Sequence, residues 1–505
     1  MLTARTAGVA IMAIWLTVVG WHVRREYFQP ESMRLAAGAR MLAPDAHAFV
    51  IRMDGAAIGM AQSALDTVAG GFAFRDETTL DVPALGSLRR AVARTRILLG
   101  ESLDLRSFQF SLDSEIGRYG VDGSMEGDSV LVLVLDAGGA PDRSRVRAAG
   151  GILLDAALSL RMAASGALRR GNTFTVTVFD PSTLAGRDVV VRVRDRETIV
   201  VADSARFEDG RWVVSVLDTV PVWRVEQEFG GVAVTNWVDE DGQIVRAESP
   251  LGFTIERTHY ELARQEWRAA QSRPLAEGYG ALIEGTAISS NADLSDVEER
   301  PRLAVRLRDV DLAGFELDGG RQSLRGDTLV VAREGERPAP YRLPWAGGGD
   351  PARELEATPL IQADDPRIRA AAQRIAAGET DPARVARRLN DWVHGALRKE
   401  VTLSVPSAVQ VLEAGQGDCN EHTVLYVALA RALGLPARTA VGLVHLRGRF
   451  YYHAWPEVWL DDWVAVDPTL GQYPADASHL RFLTGGLARQ VELVRLIGRL
   501  RLEVL

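Results

Sequence analysis

Apolar and polar positions change rhythm along this chain, and the changes divide it. From residue 47 the rhythm has a period of two. Residues 48–53, 71–80, 107–114 and 129–135 alternate or are wholly apolar, with Asp-Gly and Gly-Gly turns between them, which predicts β-strands. Residues 83–99 carry no clear pattern, and 150–164, apolar at mixed spacing, read as a short helix. Alternation returns at 173–179, 189–193, 212–217, 222–229, 232–238, 244–248 and 252–260, with Asp209-Gly210, Gly230-Gly231 and Asp241-Gly242 as hairpin turns. The hairpins at 104–111 and 242–249 share a cadence that suggests a duplication. Residues 47–268 are therefore expected to form one or more curved antiparallel β domains.

Residues 262–277 read as a polar helix or linker. A smaller β unit is expected over 278–346, with strands at 303–307, 314–317 and 328–333. So few strands bury little core alone, so this unit should pack on a neighbour. Gly347-Gly348-Gly349-Asp350-Pro351 is the clearest linker and opens the last unit, 351–505.

There the rhythm lengthens to that of helices. Asp365 and Asp381 can each cap a helix with Pro in its first turn, over 366–377 and 382–397. Ile368, Ala372 and Ile375, then Val385, Leu389, Trp392 and Val393, form buried stripes. After a turn at 407–412, Val424, Leu425, Ala428, Leu429 and Ala432 mark a helix that Gly434 and Pro436 stop. Its start carries a capping-box pattern: Asp418, then Glu421 three residues on. Residues 438–446, 450–459 and 463–467 read as strands, with turns at 447–449 and 460–462. Residues 472–483 read as loop. The end, 491–505, is amphipathic; its last stretch, 497–504, fits either a helix or a closing strand.

Ahead of the β region, residues 7–21 are fifteen apolar residues without a charge, with Arg5 before them and His22, Arg24 and Arg25 after. Val23 extends the run, and Trp21 and Tyr27 suit a membrane interface. A cleaved signal peptide is the rival, but no small-residue cleavage site directly follows the run. The expectation is an uncleaved single-pass anchor (1–25) in the cytoplasmic membrane and a stem (26–46), with the remaining domains in the periplasm. The flanking arginines argue for the opposite orientation, but long domains can cross despite them. The overall fold class expected is multidomain α+β: membrane helix, large antiparallel β region, small β domain and C-terminal α+β domain.

Composition narrows the function. The net charge of −9 without a long basic run makes nucleic acid an unexpected partner. Lysine occurs once, at Lys399, so the chain offers few amines for cross-linking to itself. There is no Walker loop, dinucleotide fingerprint or EF-hand loop, so no cofactor or metal is expected.

The only cysteine is Cys419. The capping box makes it the first helical residue, where unpaired N–H groups and the positive helix end would lower its pKa and could hold an oxyanion. His453 lies in an aromatic-rich strand, and Asp467 ends the next. A three-residue loop at 460–462 pairs Trp455 with Asp467 and leaves His453 diagonal to Asp467 on one face. A two-residue loop would put them on opposite faces unless Pro456 adds a bulge. The same-face register is the expectation. It makes Cys419 a nucleophile, His453 its base and Asp467 the group that fixes the imidazole tautomer.

The other polar residues have plainer readings. His422, one helical turn from Asp418, reads as a half-exposed helix residue, with a group supporting Cys419 as the alternative; Asp418 reads as a cap, and Asp461 and Asp462 as turn residues. Trp455, Trp459 and Trp463 read as core, with walls of a substrate cleft as the alternative. Glu457 shares the His453 face only if the strand is regular. A second oxyanion donor is open among Gln410, Gln416 and Trp392.

The segments Gly-Asp-Cys-Asn-Glu-His (417–422), Tyr-Tyr-His-Ala-Trp-Pro-Glu-Val-Trp (451–459) and Trp-Val-Ala-Val-Asp-Pro-Thr (463–469) resemble the core of the bacterial transglutaminase-like superfamily. The resemblance covers about the last third of the chain. It implies a papain-like fold, a cysteine helix on an antiparallel sheet, with Cys419, His453 and Asp467 as triad. It also implies one of three activities: hydrolysis of amide or peptide bonds, cross-linking of glutamine to amines, or none. A protease or amidase acting on a protein or peptide through a thioester is expected first. A protein-glutamine γ-glutamyltransferase and a non-catalytic envelope binding or assembly protein are the alternatives. By cadence alone, the β region resembles envelope half-barrels, including lipoprotein-carrier-like ones, whose apolar face could hold a lipid or peptide.

Overall fold

The computed structural model describes residues 31–505 except 54, 85–86, 115–116, 128, 139, 148–151, 230–231, 250–251, 272–286, 401–404, 487–488, 490 and 497–498. The apolar run at 7–21 lies outside the described residues. Among the described residues, no helix is long and apolar enough to cross a membrane.

Alternating apolar residues build a fifteen-stranded sheet. Eight strands, from Asp45–Met53 to Asp142–Arg147, lie side by side in chain order; seven more, from Leu153–Leu154 to Phe253–Thr258, do the same. The two series join in the middle, where the first strand pairs antiparallel with the last, Ala48 opposite Thr258 and Met53 opposite Phe253. One face carries Phe72, Phe74, Ile97, Phe108, Val121 and Leu133 at the alternation that strand geometry demands. This face buries helices Glu31–Ala39 and Asp155–Ser165. A cavity of about 510 Å³ remains beside them, lined by Phe49, Phe74, Ile97, Phe110 and Phe179.

Several strands were not visible in the pattern. Residues 56–68 and 118–126 are strands rich in Gly, Ala and Ser, whose small side chains blur the alternation. The stretch 83–99, left unassigned, falls in the hairpin of Gly71–Ala84 and Ser87–Gly100. The expected strands 212–217 and 222–229 are one, Arg211–Phe229, paired with the 24-residue strand Ala185–Glu208.

In the last unit, helices Pro366–Ala376, Pro382–Ala396 and Ala408–Ala414 surround helix Cys419–Ala432. Asp365 and Asp381 cap the first two as their sequence implies, each accepting backbone N–H bonds ahead of a first-turn proline. Leu425, Tyr426, Val427, Ala428, Leu429 and Ala430 are all fully buried, so the cysteine helix is enclosed nearly all round. Each leucine there contributes about 1.5–3 kcal/mol by leaving water. The helix packs on a sheet ordered Ile288–Ser289, Arg449–Trp459, Ala437–Leu446, Leu480–Thr484, with Trp463–Ala465 also paired to Arg449–Trp459. Residues 480–483, expected as loop, fall in strand Leu480–Thr484, which pairs with Ala437–Leu446.

The small β unit is interlaced with this last unit. Its strands Gln322–Arg325, Thr328–Ala332 and Arg302–Arg308 are joined by Arg501–Val504 from the end of the chain, so the strand alternative applies there; Val491–Leu496 is a short 3₁₀ helix. Residues 314–317, expected as a strand, are loop, and Gln322–Arg325 takes that place. The loop at Ala137 and Gly138 is one place where the large sheet meets the last unit. The Ala137 carbonyl accepts from Ser407 Oγ and Gln362 Nε2, and Gly138 O accepts from Arg367 Nη2.

Candidate active site

The cysteine helix begins where the capping box places it. Asp418 accepts from Asn420 N–H at 2.9 Å and from Glu421 N–H, and Glu421 Oε2 accepts from Asp418 N–H at 2.8 Å. The His422 N–H goes to the Asp418 carbonyl. These bonds use three of the four N–H groups that open the helix, leaving that of Cys419 without an acceptor in the helix. The cap needs a glycine before it: a Cβ on Gly417 would lie 2.2 Å from Glu421 Cβ.

Cys419 is partly exposed, and its sulfur is within hydrogen-bond reach of the Ala454 N–H, one residue past His453. The hairpin that carries His453 has the three-residue loop and the register expected, with Trp459 opposite Trp463 and Glu457 opposite Ala465. Asp461 in the loop has a positive φ of 88°. His453 Nε2 lies 2.7 Å from Asp467 Oδ2, which leaves Nδ1 as the free ring nitrogen. The imidazole stacks on the fully buried Trp455, centroids 6.0 Å apart. Asp467 is fully buried, and its other oxygen accepts from the Thr469 and Leu470 N–H groups at 2.8 and 3.0 Å.

Two further site residues come from 472–483. His479, fully buried, sets Nε2 2.9 Å from the same Asp467 oxygen and Nδ1 3.1 Å from Asp476 Oδ1. The loop that carries them is held from the small β unit. Buried Arg321 donates to the carbonyls of Ala475, Asp476 and His479 at 2.7, 3.0 and 3.1 Å. The sequence signal, an Asp-Ala-Ser-His run, reads as an ordinary polar loop, and nothing local ties it to Asp467. His453, Asp467 and His479 also present three metal-type ligand atoms within 4.8 Å of one another, but these atoms are already joined by hydrogen bonds.

The electrostatics correct one expectation. Burial pushes the Cys419 thiol well up, with the Asp418 and Glu421 carboxylates adding to it, against the lowering expected from the helix end. The Ala454 N–H opposes this in part. Such a thiol is neutral at rest and needs a base. Burial alone would also raise Asp467, but His453 and His479 outweigh it and hold the carboxyl well below the usual range. Asp476 is held low in the same way by His479 and Ser478. Burial would lower His479, but its two carboxylate partners raise it.

These shifts set a pH dependence. A carboxyl held low in the folded state contributes stability that is complete above its unfolded value, near 4, and is lost as pH falls toward the folded value. A raised histidine acts in the opposite sense: its contribution is complete below about 6.5 and is lost as pH rises through the folded value. The melting temperature should therefore fall as pH drops below about 4, and Asp476→Asn should flatten that slope. Thermal melts of both proteins from pH 2.5 to 7 check this; parallel slopes would contradict it.

The remaining candidates separate cleanly. His422 is fully buried, not half-exposed: its Nδ1 lies 2.7 Å from the Asp418 carbonyl, since the helix is enclosed on that side too. Gln410 donates to the Arg118 carbonyl of the large sheet, away from a role as oxyanion donor, and Gln416 accepts from Arg398. Glu457 is buried between Arg438 and Arg481, as an ion-paired strut. Trp455 is core, as expected.

Residues 369–468 match the model of the transglutaminase-like superfamily, a span that includes Cys419, His453 and Asp467 and stops short of Asp476 and His479. No curated protein matches the sequence significantly. Three solved structures are similar in part. One is a proposed cysteine protease from Cytophaga hutchinsonii (15% identity, 40% of this chain, 83% of that one, TM-score 0.28). Another is a beta-barrel-like protein of a domain of unknown function from Brucella abortus (12% identity, 43% and 94%, TM-score 0.31). The third is the periplasmic domain of TgpA from Pseudomonas aeruginosa, bound to ethylmercury (19% identity, 35% and 74%, TM-score 0.25). The C-terminal part of this chain, over residues 369–468, carries a transglutaminase-like superfamily core.

Proposed function

We propose that this chain is a thiol-dependent hydrolase of amide or peptide bonds in a protein or peptide. Cys419 attacks the carbonyl carbon while His453 Nδ1 takes the thiol proton. The Cys419 N–H holds the oxyanion. The C–N bond then breaks, and the amine or ammonia leaves with the proton from His453. Water, deprotonated by His453, attacks the thioester; the C–S bond breaks and the thiol regains its proton. Asp467 keeps the Nε2 proton in place, so that Nδ1 stays the acceptor.

The observation that carries this reading is the 2.7 Å contact of His453 with buried Asp467, together with a cysteine at the first position of a capped helix whose thiol interacts with the N–H of Ala454, next to His453. Water is favoured over an amine as second substrate because nothing in the sequence identifies an amine site and water is always present. The apolar run at 7–21 supports a membrane-anchored protein.

The test is to incubate the purified protein with a library of glutamine-containing and amide-capped peptides, quench in acid and weigh the intact protein. An acyl adduct on Cys419 that His453→Ala removes is the expected result. Release of the free acid supports hydrolysis, and conjugation to an added amine would replace it with transfer. A chain that never forms an adduct would be a binding protein instead.

A further inference from the structure

Both ring nitrogens of His479 face carboxylate oxygens, Asp467 Oδ2 at 2.9 Å and Asp476 Oδ1 at 3.1 Å. An ionised carboxylate only accepts hydrogen bonds, so a ring with one proton would leave one of these contacts as two facing lone pairs. The ring is fully buried, and no water can relieve such a contact. Asp476 Oδ1 also accepts from the Ser478 N–H and Oγ–H, at 2.8 and 2.6 Å, which suits a charged carboxylate. Two carboxylate oxygens on the two ring nitrogens favour a doubly protonated His479.

We propose that His479 is a permanent imidazolium whose charge, delivered through the carboxylate of Asp467, sets the pH at which the Cys419 thiol gives up its proton. This rests on the reading of Cys419 and His453 as nucleophile and base. His479 touches no substrate in this scheme; it is a positioning residue.

Its effect follows from counting charge. Asp467, His479 and Asp476 together carry one net negative charge, so a His453 that has taken the thiol proton completes a neutral cluster. With His479 uncharged, the cluster carries two negative charges. The thiol proton of Cys419 is then held more tightly, and the thiol is engaged only at higher pH. The ring centroids of His453 and His479 are 5.9 Å apart, close enough for a buried charge to be felt strongly. The other charged groups around His479 are fixed. Arg321 binds its carbonyl from the small β unit, with Glu334 4.0 Å beyond, and the Glu457–Arg481 pair is buried on the adjoining strands. His445 also feels the Asp476 charge, but burial pushes that ring down. None of these takes over the role of a cation between Asp467 and Asp476.

The experiment is the rate of Cys419 alkylation by iodoacetamide from pH 4 to 10, on the full chain, for wild type, His479→Gln and His453→Ala. The expected result is an acid limb that moves up by roughly one pH unit in His479→Gln. An unmoved limb in folded His479→Gln would overturn the proposal. If His453→Ala leaves the wild-type profile unchanged, the catalytic reading fails instead, so the two failures are distinguishable. Nitrogen-15 spectra of the wild-type histidines supply a second measurement that does not depend on the folding of His479→Gln. His479 should show two protonated ring nitrogens from pH 5 to 8; a single proton at neutral pH would overturn the proposal.

Discussion

Cys419→Ala is expected to lower turnover of any amide donor by on the order of 10⁶-fold, to the level left by binding and the oxyanion site. No other thiol can substitute, since Cys419 is the only cysteine of the chain. The change is small and the site partly exposed, so the folding free energy should move by no more than about 1 kcal/mol. A parallel assay of turnover and urea unfolding checks both halves. Turnover that survives in a preparation free of contaminants would remove Cys419 from the mechanism.

Asp467→Asn is the second large effect, and it should strike activity and stability together. Asparagine keeps the shape and can still accept the Thr469 and Leu470 N–H bonds through its oxygen. Its amide nitrogen then faces His453 Nε2 and His479 Nε2, both of which donate in the parent. To accept from that amide, His453 must move its proton to Nδ1, where it blocks removal of the thiol proton. A loss of roughly 10⁴-fold in kcat is expected from the wrong tautomer. His479 loses one of its two anionic partners while fully buried, which should cost about 3–5 kcal/mol of stability. Kinetics with a saturating donor and chemical unfolding measure the two separately. A variant with normal kcat would show that Asp467 does not orient the ring.

How much of this site could be read from the sequence depends on whether its parts are local. The capping box at Asp418 and Glu421 is four residues long, and the hairpin register of His453 and Asp467 follows from one three-residue loop. Local rules govern both, and both were legible. His479 was not. It reaches Asp467 only because strand Leu480–Thr484 docks on Ala437–Leu446 and Arg321 ties down the preceding loop from another part of the chain. His422 was misread for a related reason. Its helix looks amphipathic in sequence, but neighbours cover it on nearly every side. In the large sheet, strand positions with bulky side chains were legible, and those built from Gly, Ala and Ser, such as 56–68, were not.

The seam in the middle of the fifteen-stranded sheet has a consequence for biogenesis. The strand at 45–53 has a partner on one side within a few residues, but its other partner is made some two hundred residues later. Until that strand arrives, one long edge stays open to any passing chain, and closing it carries the entropy of a very large loop. Sheets closed by such distant pairings assemble slowly. A newly made chain should therefore spend its most aggregation-sensitive interval between synthesis of the first strand and closure of this seam.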